Sequence, residues 1–292
     1  MTGNGEYLLE KVVERVGDLP AMPAIVAEVL HLTDDPYSGM GQMSEAIQRD
    51  PALTAKILRV SNSPYYGMRR YVGTLKLALV ILGMREIRNI VLGISLFDAL
   101  RDESTEALLA SDFWHHATRV AAFSKKLGSR LELGMQGEDF IAGLIHDIGK
   151  LVLWRQLPGT YVALFRASRG NREELRTLEK KHLGFTHADA AAVLGIRWNL
   201  PESLTDAVWA HHPGSKPLSK TKDPKLAAIV RIANLAAEQK PSAPADETLL
   251  ACSDEEAWGV LSSSPKPIGD CERQEVLKGF FAELSETSEP FF

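Results

Sequence analysis

The chain has 292 residues, enough for one large or two modest domains with ample core. Hydrophobic residues make up 45% and charged residues 24%, an ordinary balance for a soluble globular protein. A net charge of −5 argues against a non-specific nucleic-acid binder, and no apolar run reaches the roughly eighteen residues that a membrane span needs.

The N-terminus is polar and lacks the apolar core of a signal peptide, which points to a cytoplasmic protein. A lead helix is expected over 7–16. Leu19-Pro20-Ala21-Met22-Pro23 opens the next, with Ile25, Val26, Val29, Leu30 and Leu32 on its apolar face, and Asp34-Asp35-Pro36 breaks it. A short helix over 43–49 follows. Asp50 then serves as N-cap and Pro51 takes the first helical position, where its missing N–H is no loss. That helix ends in Ser61-Asn62-Ser63-Pro64-Tyr65-Tyr66-Gly67, a turn by composition. Helices over 75–82, capped by Thr74 and stopped by Gly83, and over 85–100 complete a small N-terminal lobe.

The charged run at 101–107 marks the lobe boundary. Beyond it the spacing predicts helices over 113–131, 139–156, 161–167 and 172–182, the last capped by Asn171. Thr186 is a further N-cap, and Asn199-Leu200-Pro201 starts the helix that ends in His211-His212 before Pro213-Gly214. A basic loop at 216–225 leads to a buried helix over 226–238. Pro-Ser-Ala-Pro at 241–244 reads as a linker to two amphipathic helices, near 247–261 and 271–284. Cys252 and Cys271 form no CxxC pair and are expected to stay reduced.

The helix over 139–156 carries His146-Asp147 inside an apolar run, with Gly149 and Lys150 just behind. Burying an imidazole beside a carboxylate costs several kcal/mol unless both are paired or bind a cation. Either a divalent metal sits at His146 and Asp147, or neighbouring donors and acceptors satisfy them. Four other histidines, His116, His187, His211 and His212, fall where helices would converge. Asp112, four residues before His116, shares its helix face. Imidazole and carboxylate ligands suit iron, manganese, zinc and nickel. The plain alternatives are a helix-dipole role for His211 or His212, solvent for His115 and His182, a helix rim for His31, and core packing for Trp114, Trp198 and Trp209.

Nine segments occur in order: Leu19-Pro-Ala-Met-Pro23, Asp50-Pro-Ala-Leu-Thr-Ala55, Arg59-Val-Ser-Asn-Ser-Pro64, 78–83, Trp114-His-His116, His146-Asp-Ile-Gly-Lys150, Gly184-Phe-Thr-His187, Trp198-Asn-Leu-Pro201 and His211-His212. Together they resemble the HDOD family, bacterial signalling domains related to the HD and HD-GYP phosphohydrolases. The resemblance covers roughly 19–240. It implies an all-α fold, a helical N-terminal lobe (19–105) packed on an HD-type bundle (106–240), flanked by a lead helix (1–18) and a C-terminal extension (241–292). It also carries over His116, His146, Asp147, His187, His211 and His212 as metal ligands, with Asp112 where some relatives have a glutamate. The departures are Asn234, where the HD pattern expects aspartate, and Pro213-Gly-Ser-Lys-Pro217, where HD-GYP enzymes have Gly-Tyr-Pro and an acid.

These departures bear on catalysis rather than on folding. The resemblance therefore implies a non-catalytic regulatory protein that retains a transition-metal site and acts through a signalling partner. The alternative is a metal-dependent phosphohydrolase acting on a nucleotide or cyclic dinucleotide, with Lys150 neutralising phosphate. The adjacent Tyr65 and Tyr66, with Arg69 and Arg70, are the expected partner-binding surface, supported by Arg85 and Arg88, because exposed Tyr and Arg favour interface centres.

Overall fold

Helix starts follow local chemistry throughout the computed structural model. It describes residues 11–14, 19, 21–62, 66, 68, 70–100, 107–238 and 252–284, with the backbone alone at 97, 100, 107–112 and 281–284. Regular structure among the described residues is helical throughout. The lobe contains α1 (Ala24–Asp34), α2 (Met40–Gln48), α3 (Pro51–Ser61), α4 (Leu75–Leu82) and α5 (Met84–Leu100). Asp50 accepts the Leu53 N–H at 2.9 Å ahead of Pro51. Thr74 accepts that of Leu77, and α4 ends at Gly83, whose φ of +85° suits a residue without Cβ. Of the lead helix, residues 11–14 are described and are helical, with Val12 buried; the 101–106 boundary and the 241–244 linker lie outside the described residues.

Met43, Ile47, Ile57, Leu75 and Leu79 form the lobe core. Helix α5 belongs to two cores at once: Ile87, Ile90, Val91 and Ile94 face the lobe, while Leu92 and Leu96 face the bundle.

Two expectations for this lobe are corrected. Tyr66 is half-buried rather than exposed, since its hydroxyl donates to Glu86 Oε1 at 2.6 Å and the Lys125 ammonium lies 4.5 Å from its ring centre. Arg88 is 6% exposed, bonded to Asn89 Oδ1 and 3.6 Å from Glu138, so it does not extend the exposed surface expected around Arg70. Arg70 and Arg85 are exposed, and Tyr65 and Arg69 lie outside the described residues.

The bundle contains α6 (Ala107–Arg130), α7 (Glu138–Ile145), α8 (Ile148–Gln156), α9 (Pro158–Ala167), α10 (Arg172–His182), α11 (His187–Arg197), α12 (Glu202–Trp209) and α13 (Pro224–Glu238). Helix α6 packs on α7 and α13, and α11 packs on α8 and α12. Trp198 is fully buried, whereas Trp114 and Trp209 are half-buried. His31 and His182 are exposed and His115 is half-buried. No described helix is long and apolar enough to cross a membrane.

The stretch expected as one helix over 139–156 is broken. Helix α7 ends at Ile145, Asp147 takes φ −93° and ψ 8°, and α8 starts at Ile148. The break serves close packing on both sides. At Gly143 an added Cβ would lie 2.8 Å from Ala121 Cα, and at Gly149 it would lie 1.8 Å from the His187 carbonyl oxygen.

Two C-terminal helices, α14 (Glu255–Leu261) and α15 (Asp270–Leu284), pack on this bundle. Phe280 stacks on Phe123 with ring centres 4.0 Å apart. Arg231, 1% exposed, ties α14 to the stretch after α12: Nε donates to Ala210 O at 2.8 Å, Nη2 to Lys216 O at 3.1 Å, and Nη1 to Glu256 Oε2 at 2.8 Å. The segment 216–225 is not all loop, because a 3-10 turn at Leu218–Lys220 buries Leu218. Both cysteines are free thiols.

Candidate metal centre

Six side chains from four places in the bundle meet at its centre. His116 comes from α6, His146 and Asp147 from the α7–α8 break, His187 from the first turn of α11, and His211 with His212 from just past α12. They form two groups that could each hold a metal ion, His116–His146–Asp147 and Asp147–His187–His211–His212. Asp147 belongs to both. Its Oδ2 lies 3.3 Å from His146 Nε2 and 3.6 Å from His116 Nε2, while Oδ1 lies 3.2 Å from His187 Nε2 and 3.6 Å from His211 Nε2. All six are buried. The side chain of Asp112 lies outside the described residues.

The donor chemistry fits a cation. His146 Nδ1 is 2.7 Å from Gly143 O, and His211 Nδ1 bonds Val208 O, an orphan carbonyl at the end of α12. A ring nitrogen facing a carbonyl must carry the proton, so in both rings Nε2 keeps its lone pair and aims it into the centre. His116 Nε2 is 3.2 Å from His146 Nε2, and His187 Nε2 is 3.0 Å from His212 Nε2. Asp147 Oδ1 and His211 Nε2 have no hydrogen-bond partner among the described residues. These last two converge as acceptors at 3.6 Å and repel one another unless a cation lies among them. Burial also keeps most of the rings neutral, as metal ligation requires: His116 and His212 are held well below the usual imidazole value and His211 is pushed down to about 3.

His187 differs. Burial is the largest influence and lowers its pKa, but the Glu179 and Asp147 carboxylates together outweigh this and raise it. Glu179 Oε2 accepts both the Nδ1 proton at 2.7 Å and the backbone N–H of His187 at 2.9 Å, and its Oε1 accepts the Tyr161 hydroxyl at 2.6 Å. This chain fixes the ring so that Nε2 faces Asp147. Asp147 itself is pushed up by burial, yet the Lys150 ammonium and His146 hold it well below the usual carboxylate range. Lys150 Nζ lies 2.6 Å and Arg172 Nη1 3.5 Å from Asp147 Oδ2.

Asn234 stands at the His116 group. Its Oδ1 is 3.0 Å from His116 Nε2, which by the same rule carries the proton while no cation is bound and must release it to bind one, while its Nδ2 donates to Glu238 Oε1 at 3.1 Å. Sequence reasoning missed Glu179, Arg172 and Glu238. Glu238 had a readable signal, since a residue four places after Asn234 shares its helix face. Glu179 had none, because the turn between α10 and α11 that brings it to His187 does not show in the spacing.

A crystal structure of a protein from Shewanella amazonensis, called a candidate phosphohydrolase, is similar at 26% identity and TM-score 0.71, covering 94% of this chain and 97% of that one. An HDOD domain protein of unknown function from Geobacter sulfurreducens shares the fold at 21% identity and TM-score 0.75, over 98% and 95% of the two chains. An uncharacterized protein of Treponema pallidum is 23% identical over 229 residues, 78% of this chain; the chain spans 44% of that relative's length. The HDOD domain family matches residues 19–213, well over half of the sequence, and the chain belongs to that family.

Proposed function

We propose that this protein is a non-catalytic regulatory module that holds one or two divalent transition-metal ions, of iron, manganese, zinc or nickel, and acts through a signalling protein partner. The observation that carries this reading is Asn234 against His116 Nε2. A neutral amide there leaves the His116 group with Asp147 as its one carboxylate, which the second group shares. A cation so held gains stability for the fold, while the charge that would fix it during substrate turnover is short by one. The test is hydrolysis of cyclic dinucleotides and nucleoside phosphates by metal-loaded protein. Turnover is expected to be no higher than in His116→Ala. Metal-dependent turnover that disappears in His116→Ala or Asp147→Ala would promote the phosphohydrolase instead. Lys150 and Arg172 beside Asp147 favour that second reading, since two cations at one edge of the centre would neutralise phosphate oxygens.

For the partner surface, the support narrows to Arg70 and its neighbour Tyr71, which is 78% exposed. Tyr66 is committed to Glu86. Capture of proteins from native extract by wild type and by Arg70→Glu/Tyr71→Ala checks this. Loss of a specific partner is expected, and identical capture by both folded proteins would rule the surface out.

A further inference from the structure

The side chains of Asn234 and Glu238 lie one turn apart on the same face of α13, with Asn234 1% exposed. The two ends of the Asn234 amide face opposite partners. Oδ1 points at His116 Nε2, at 3.0 Å, and Nδ2 points at Glu238 Oε1, at 3.1 Å. An asparagine amide is nearly symmetric in shape, so packing alone hardly distinguishes its two orientations. Chemistry does. Turned the other way, Nδ2 would donate toward the His116 and His146 rings and set two N–H dipoles against any cation there, while Oδ1 would face a carboxylate. Glu238 resists that turn, because its Oε1 accepts the Nδ2 proton at 3.1 Å and would lose that bond if the amide oxygen faced it instead.

We infer that Glu238 is a positioning residue of the metal centre: its carboxylate holds the Asn234 amide with Oδ1 toward His116, making Asn234 a neutral oxygen donor of the His116–His146–Asp147 group. The inference rests on the metal-binding reading above and deepens it. The acid expected at position 234 is thereby replaced by an amide with an acid one turn behind it. A direct negative ligand becomes a neutral one whose orientation depends on a second residue. The second group, Asp147–His187–His211–His212, has no part in this arrangement.

The experiment titrates chelator-stripped full-length protein with cobalt(II), whose visible absorption reports the number and kind of its ligands. His212→Ala serves as the background in which the His116 group is followed alone. Glu238→Met is expected to weaken cobalt binding in the His116 group about tenfold, in the range typical of residues that orient a ligand, and to shift its spectrum. Affinity in the His187 group stays at the wild-type value. The decisive comparison is Asn234→Asp. A carboxylate has two equivalent oxygens and needs no orienting partner, so in that background Glu238→Met should cause no loss. Equal weakening in the Asn234 and Asn234→Asp backgrounds would make Glu238 a structural support and overturn the inference, as would loss of both ions together in Glu238→Met. Wild-type affinity and spectrum in Glu238→Met would overturn it too, leaving the metal reading intact. A wild-type protein that takes up no cobalt at all would overturn both.

Discussion

Asp147→Asn is expected to empty both metal groups at once, whereas His116→Ala and His212→Ala should each disturb one. The reason is geometric: Asp147 turns Oδ2 to His116 and His146 and Oδ1 to His187 and His211, so one substitution removes the negative charge from each. Elemental analysis of the three variants and wild type checks the pattern. The loss in thermal stability should exceed that of either histidine variant, because an ion held at about 100 times its Kd contributes roughly 2.7 kcal/mol per site.

Metal-free Asp147→Asn should also be destabilised, by about 3–5 kcal/mol, because Lys150 is left in the interior without its carboxylate. The pH dependence has a definite sign. Asp147 is depressed in the folded state, so its contribution is present above its unfolded pKa of about 3.9 and is lost as pH falls through the lower folded value. The gap between the metal-free wild type and variant should therefore stay constant from about pH 5 to pH 8 and close only in strong acid. A gap that closes near neutrality would assign the effect to another group.

Gly149→Ala is expected to be among the most damaging single-methyl additions in the chain. The new Cβ would lie 1.8 Å from His187 O and 2.8 Å from both Ala191 N and His187 C, all backbone atoms that cannot rotate aside. Helices α8 and α11 must separate, which costs about 3 kcal/mol or more, at the upper end for overpacking. Separation also draws His187 from Asp147, so the second metal group should weaken while the His116 group is spared. Gly159→Ala is the control. Nothing lies within 4 Å of its added Cβ, and a glycine-to-alanine change inside α9 should be neutral or stabilising by up to about 1 kcal/mol. Chemical denaturation of both variants measures the contrast, and equal midpoints would contradict the close approach.

Several elements could be read from the chain because their causes are local. Asp50 before Pro51, Thr74 before α4 and Asn171 before α10 cap helices through a side-chain oxygen that accepts an orphan N–H three residues on, and at the start of α11 Asp189 accepts the Thr186 N–H. Apolar spacing likewise marked most of the helices. The family could be read because its motifs are short, ordered runs.

Other features depended on contacts that local spacing does not carry. The apolar rhythm of 139–156 is continuous through His146-Asp147, yet the helix breaks there, between the close approach of Gly143 to α6 and that of Gly149 to α11. Tyr66 sits in a run whose composition suggests an exposed turn, yet a buried glutamate twenty positions later turns it inward. His116 and Asn234 are 118 positions apart, and nothing in the spacing of either states that a carbonyl oxygen meets the ring. The sequence by itself determined which residue types were available to bind a cation and which helices carried them. Only the tertiary structure decided their grouping, with one carboxylate shared between two sets of histidines, because the four places that supply them are brought together from distant turns of chain.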